Sequence, residues 1–126
     1  MNENTIYKKS FDFAVRIAKL YNFLCSNYKE YTISKQLLRC GTSIGSNVNE
    51  AISAQSKKDF ISKMAIANKE ARETKYWINL LIATDYLSKT ENHVITLQND
   101  IEEIIKILTS IVKTSQENLK KEQNVK

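Results

Sequence analysis

Four side chains within one short stretch are suited to polar chemistry. Arg39, Ser43, Asn47 and Glu50 are spaced four, four and three apart in Arg39-Cys-Gly-Thr-Ser-Ile-Gly-Ser-Asn-Val-Asn-Glu50. On a helix that spacing places them on one face. Glu70 and Glu73 form an acidic strip further along, flanked by apolar positions. If the two segments pack as neighbours, Arg39 can face both carboxylates. A charge in such a place must be paired if it is buried, because a lone buried charge is very costly. Three readings are open: an internal polar network that fixes helix register, a contact to a ligand or to nucleic acid, and simple exposure. The network is the expectation for Arg39, Ser43, Asn47, Glu50, Glu70 and Glu73.

Catalytic constellations are missing. Glu50, Glu70 and Glu73 invite a metal reading, but di-iron helical bundles add two Glu-x-x-His pairs and this chain has none. Its single histidine, His93, falls near a helix start and reads as a surface residue. No glycine-rich phosphate loop is present, since no Gly-Lys-Ser or Gly-Lys-Thr follows Gly41 or Gly45. No histidine is placed to activate Cys25 or Cys40. The sequence therefore points to no enzyme, no metal, no cofactor and no small-molecule substrate.

Basic residues offer another kind of contact. The net charge is +5, which favours acidic partners weakly. Lys69, Arg72 and Lys75 fall within two turns of one long helical segment and are the candidate contact to RNA or DNA. Other basic residues lie at Lys8 and Lys9, at Arg16 and Lys19, and at Lys57, Lys58 and Lys63. Asp59 with Lys63 and Glu102 with Lys106 are four apart with the acid first, the favoured order for local pairing. No reading helix or aromatic stacking platform accompanies these charges, so sequence-specific recognition is not supported.

The elements that must position these residues are helices. Ala14, Ile17, Ala18, Tyr21, Leu24, Cys25 and Tyr28 recur at threes and fours. So do Ile33, Leu37, Cys40, Ile44 and Val48; Phe60, Met64, Ala67, Ala71, Thr74, Ile78 and Leu81; and Val94, Leu97, Ile101, Ile104 and Leu108. Ser10, Thr32 or Ser34, Ser56 and Ser88 are cap candidates. The spacing predicts helices over about 11–28, 32–53, 57–87 and 91–116. The chain has no proline, and both of its glycines, Gly41 and Gly45, fall inside the second helix. A mid-helix glycine costs about 1 kcal/mol. A close approach of another helix backbone at Gly41 and Gly45 is the expected reason, with a kink as the alternative.

Four helices with short connections define an all-α fold, an antiparallel up-down-up-down four-helix bundle. Residues 10–117 form the bundle domain, with a flexible N-terminal arm over 1–9 and a flexible C-terminal tail over 118–126. With 42% hydrophobic residues in 126, one core without disulfides is sufficient. The cysteines read as two buried thiols of a reducing compartment, although linear spacing leaves a disulfide open. No signal peptide and no run of roughly 20 apolar residues is visible. A cytoplasmic location without membrane contact is expected. The first and third helices carry more apolar width than a small monomer needs, which suggests self-association.

The stretch from Arg39 to Glu50 also resembles a known family. Phe11-Asp-Phe-Ala-Val15, Gln36-Leu-Leu-Arg39, Ser43-Ile-Gly-Ser-Asn-Val-Asn-Glu50, Lys57-Lys-Asp-Phe60, Ala67 and Glu70-Ala-Arg-Glu-Thr-Lys-Tyr-Trp77 are similar to small bacterial four-helix-bundle proteins. These are the proteins encoded in intervening sequences of 23S ribosomal RNA genes. Gly41 departs from the alanine expected of that pattern, which would slightly loosen the second helix. The resemblance implies a four-helix bundle and a ring-shaped homopentamer, with no established biochemical role and no catalytic residue. A more distant likeness to the accessory protein of diversity-generating retroelements, a basic pentamer associated with nucleic acid and reverse transcriptase, raises the nucleic-acid reading. A scaffold that binds only protein is the alternative.

Overall fold

The structure, a computed structural model, describes residues 3–125. Four helices follow one another: α1 Glu3–Tyr28, α2 Ile33–Ile52, α3 Lys57–Ala83 and α4 Asn92–Val125. No strand occurs among the described residues. Helix α1 packs on α2 and α4, and α3 packs on the same two, while the diagonal pairs do not meet. Arg39 meets Glu73 and Glu50 meets Lys63, so α2 and α3 run antiparallel. The pairs Lys75–Glu102 and Lys57–Glu122 do the same for α3 and α4. The result is the up-down-up-down bundle.

Helix α1 starts eight residues earlier than its expected start at Phe11. The residues expected as a loose arm are helical from Glu3 onward, and residues 1 and 2 lie outside the described part. The cause is the buried line of α1: Ile6 stands one turn before Ser10 and two before Phe13 and is fully buried. Ser10 is therefore no cap. It lies inside the helix, buried, and its hydroxyl donates to the Tyr7 carbonyl at 3.0 Å. At the other end α4 runs on through the expected tail to Val125, with Lys126 outside the described part.

Three of the helix boundaries are set by devices other than those the sequence suggests. Neither Thr32 nor Ser34 caps α2 with its side chain. The Glu30 carboxylate accepts the backbone N–H groups of Thr32 at 3.2 Å and Ser34 at 2.7 Å, so Glu30 caps the helix. Helix α3 ends at Ala83, not Leu87, because Asp85 adopts a left-handed φ of 66°. Tyr86 N–H then returns to the Leu81 carbonyl and Asp85 N–H to that of Ile82, which satisfies the last turn. Ser88 closes a turn with Thr90 rather than capping α4. Ser56 is a cap: its hydroxyl accepts Asp59 N–H at 3.0 Å.

The core lies between all four helices and contains Phe13, Ile17, Leu24, Leu37, Ile44, Met64, Ile78, Leu81, Ile101, Ile104 and Leu108, each almost wholly buried. Each large aliphatic side chain buried there contributes about 1.5–3 kcal/mol. No helix among the described residues is long and apolar enough to cross a membrane.

Candidate functional site

The seam between α2 and α3 positions the residues singled out for polar chemistry. Arg39 Nη2 donates to Glu73 Oε1 at 2.5 Å and its Nη1 lies 3.5 Å from Glu70 Oε2. Its Nε donates to Gln36 Oε1 at 3.3 Å. The Glu73 hydrogen bond is the main cause holding the guanidinium more firmly charged than an ordinary arginine. About half of the Arg39 side chain remains exposed, against 15% of Glu70. The seam is thus a partly solvated bridge at the edge of the core.

The other seam residues do not join that bridge. Asn47 Nδ2 donates to the Ser43 carbonyl at 2.9 Å and to Ser43 Oγ at 3.1 Å, within α2 alone. Glu50 pairs with Lys63 of α3 at 3.5 Å. Three small groups, rather than one connected network, line the contact. None places a nucleophile beside a base, and no group of three His, Cys, Asp or Glu among the described residues is arranged to hold a metal ion.

Gly41 and Gly45 lie on the opposite flank of α2, where α1 crosses. A methyl group at Gly45 would stand 3.3 Å from the carbonyl oxygen of Ser10, and one at Gly41 would stand 2.9 Å from Cγ1 and Cγ2 of Ile17. Neither glycine has a positive φ. Space, not backbone freedom, is what each supplies.

The basic trio divides. Lys75 is bound to Glu102 of α4 at 2.5 Å. Arg72 donates to the Thr109 hydroxyl at 3.3 Å, Lys69 is exposed, and neither has a carboxylate partner among the described residues. The local pairs expected for Asp59 with Lys63 and Glu102 with Lys106 do not form. Lys63 takes Glu50 and Glu102 takes Lys75 instead, because antiparallel packing brings those cross-helix partners closer.

A seam between α1 and α4 was not singled out in the sequence. Arg16 reaches Asp100 at 2.7 Å, the His93 carbonyl at 2.8 Å and Thr96 Oγ1 at 3.0 Å, while Lys9 reaches Glu103 at 2.8 Å. Its signal lay only in the pairing of α1 with α4, which linear spacing does not contain. His93 is exposed, with Nδ1 3.4 Å from Glu91. Both cysteines are free; Cys40 is buried and Cys25 half-buried. Burial pushes the Cys40 thiol up, which keeps it protonated and unreactive. At one end of the bundle an open cleft of about 650 Å³ lies between the α2–α3 turn and the end of α4, with Phe60, Lys57 and Lys121 among its walls.

These features define a class: a four-helix bundle joined by ion-paired seams, with no assembled catalytic group among the described residues. The chain belongs to the 23S rRNA-intervening sequence protein family, whose model matches residues 2–110. It is similar to a solved structure from Bacteroides thetaiotaomicron VPI-5482, a protein of unknown function from the S23 ribosomal protein family. That protein is 51% identical, the match covers 90% of this chain and 99% of that one, and the TM-score is 0.85. No curated protein matches the chain. The family and this structural relative are both without an assigned activity.

Proposed function

We propose that the protein is a non-enzymatic, self-associating bundle of the cytoplasm that binds nucleic acid without sequence preference, as an accessory to other factors. The observation carrying this reading is the state of the charges around Lys69 and Arg72. Glu70 and Glu73 alternate with them in sequence and would cancel their field, but both carboxylates are turned to Arg39 of α2. Glu102 is held by Lys75. Arg39 offsets one of the two charges on Glu70 and Glu73, so the acidic field beside Lys69 and Arg72 is reduced.

Self-association draws support from α1. Tyr7, Phe11 and Val15 are spaced four apart and are each 41–55% exposed. A stripe of that kind on a small protein supports self-association through α1. Five copies in a ring is the number the family resemblance favours. Assembly would repeat the same basic surface around the ring and strengthen a modest field. The apolar stripe also supports the second reading, a scaffold that binds protein alone.

A titration of labelled RNA and DNA at two salt concentrations tests the proposal. Binding is expected at low salt and should fade steeply as salt rises. Replacing Lys69 and Arg72 with Ser should weaken it, while replacing Lys75, already spent on Glu102, should matter less. Absence of binding at low salt would leave the scaffold reading.

A further inference from the structure

Among the described residues, seven of the lysines and arginines are ion-paired: Lys8, Lys9, Arg16, Arg39, Lys57, Lys63 and Lys75. Six of the basic residues left without a carboxylate fall on one flank, where α3 meets α4. On α4, Lys106, Lys113 and Lys120 recur every seven residues and are all exposed. A seven-residue step drifts by only about 20° on a helix, so the three stand in one row spanning roughly 21 Å. Lys106 and Lys113 flank Thr109 by three and four residues, and Thr109 is the residue that Asn68 and Arg72 touch from α3. The row therefore faces the α3 side. On α3, Lys58, Lys69 and Arg72 cover a second span of roughly 21 Å beside it, and these three are exposed as well.

Two parallel rows of cations result, on helices about 8–10 Å apart. Glu117 is the one carboxylate within the α4 row, and Glu102 at its end is held by Lys75. Exposed apolar side chains are absent from the rows themselves. Ile66 shares the face of Glu70 and Glu73 toward α2, Ile95 lies beyond the α4 row, and Tyr76, seven residues after Lys69, continues the α3 row one turn past Arg72. With nothing apolar to insert from its six positions, the strip does not suit a bilayer. With no aromatic platform among its six members, it does not suit unstacked bases. A rigid, straight double row of charges suits the regular phosphates of a double helix.

We propose that the α3–α4 flank, through Lys58, Lys69, Arg72, Lys106, Lys113 and Lys120, lies along the phosphate backbone of a nucleic-acid duplex. This rests on the nucleic-acid reading above and adds to it a surface and a duplex preference. Lys75 is outside the strip because its charge is already spent.

The test is fluorescence anisotropy of labelled RNA duplex, DNA duplex and single strand, each against three proteins: the natural chain, Lys106→Ser/Lys113→Ser/Lys120→Ser, and Lys19→Ser/Lys29→Ser/Lys35→Ser. The two variants lose the same charge, and circular dichroism confirms that both keep their helices. The α4 variant should lose about tenfold or more in duplex affinity, with a slope against log salt shallower by up to about 2.7. The control should change by less than about threefold. The RNA and DNA arms show which duplex is held more tightly. Equal losses in the two variants, or tighter binding of single strand than of duplex, would overturn the strip and leave nucleic-acid binding standing. Failure of the natural protein to bind any nucleic acid at low salt would overturn both.

Discussion

Gly45 on α2 brings its backbone against that of Ser10 on α1, so closely that a methyl group at Gly45 would lie 3.3 Å from the Ser10 carbonyl oxygen. Ser10 is itself small and buried, with its hydroxyl satisfied inside α1. The crossing is built from a glycine and a small serine, and it sets how closely α1 and α2 approach.

Substitution there should rank by size. Gly45→Ala gains about 1 kcal/mol of helix propensity and loses a similar amount to crowding, so its stability should stay close to that of the natural chain. Gly45→Val should destabilise by roughly 1–3 kcal/mol, because the extra carbons meet backbone that cannot rotate away. Gly41→Ala should cost more than Gly45→Ala, since its methyl group would lie 2.9 Å from the branched carbons of Ile17, whose rotamer is stiff. Urea denaturation gives all three values; a stabilised Gly45→Val variant would show that the helices are not in close contact.

The glycines illustrate what could be read in the sequence. Their place in mid-helix signals a close approach, but the residues that come near, Ser10 and Ile17, depend on a crossing angle that no linear pattern contains. Gly41 loosens α2 relative to an alanine only in propensity; an alanine would not fit here, because Ile17 occupies the space its methyl group needs. The four apolar seams were legible because a buried stripe must repeat at threes and fours. The ends of helices were less so. Ile6 extends α1 past Ser10, and Leu87, buried at 5% exposure, continues the apolar pattern of α3 beyond its true end. Arg39 facing Glu70 and Glu73 could be anticipated from the two faces. The pairing of Lys75 with Glu102 required knowing that α3 and α4 are neighbours.

Lys29 links α1 to α2 with a left-handed φ of 51°, a conformation that costs a side-chain-bearing residue about 1–2 kcal/mol. Lys29→Gly should therefore stabilise the fold by about 0.5–1 kcal/mol after the added freedom of the unfolded chain is counted. Asp85→Gly should gain less, because aspartate tolerates this region better. Thermal unfolding of both variants provides the comparison, and a destabilised Lys29→Gly variant would contradict the strain.

Glu30 should make α2 sensitive to acid. Burial pushes its carboxyl up, but the N–H groups of Ser34, Ile33 and Thr32 and the Ser34 hydroxyl together hold it below the ordinary range. The native state thus prefers the carboxylate more than the unfolded chain does. Its stabilisation is complete above the ordinary carboxylate pKa and is lost as pH falls through the lower native value. Glu30→Gln should cost about 1 kcal/mol near neutral pH, and the gap should narrow as pH falls below the ordinary glutamate range. A gap that stays constant with pH would remove the charged cap from the explanation.

Arg39 should matter modestly to stability. Its side chain is half exposed, so solvent screens the bridge and Arg39→Met should cost about 0.5–1 kcal/mol, less at high salt. A loss of roughly 3 kcal/mol or more would instead mark a buried pair left broken. Nucleic-acid binding should weaken but persist, because Arg39 lies off the α4 flank while its loss frees Glu70 and Glu73 beside Lys69 and Arg72.

Sedimentation of the purified protein with a fluorescent RNA duplex, followed at separate wavelengths for protein and label, tests self-association and nucleic-acid binding together. The protein should sediment at a multiple of its 14.5 kDa chain mass. The duplex should travel with it at low salt and separate as salt is raised. A 14.5 kDa monomer at micromolar concentration, with the duplex sedimenting alone at low salt, would contradict both halves of the proposal.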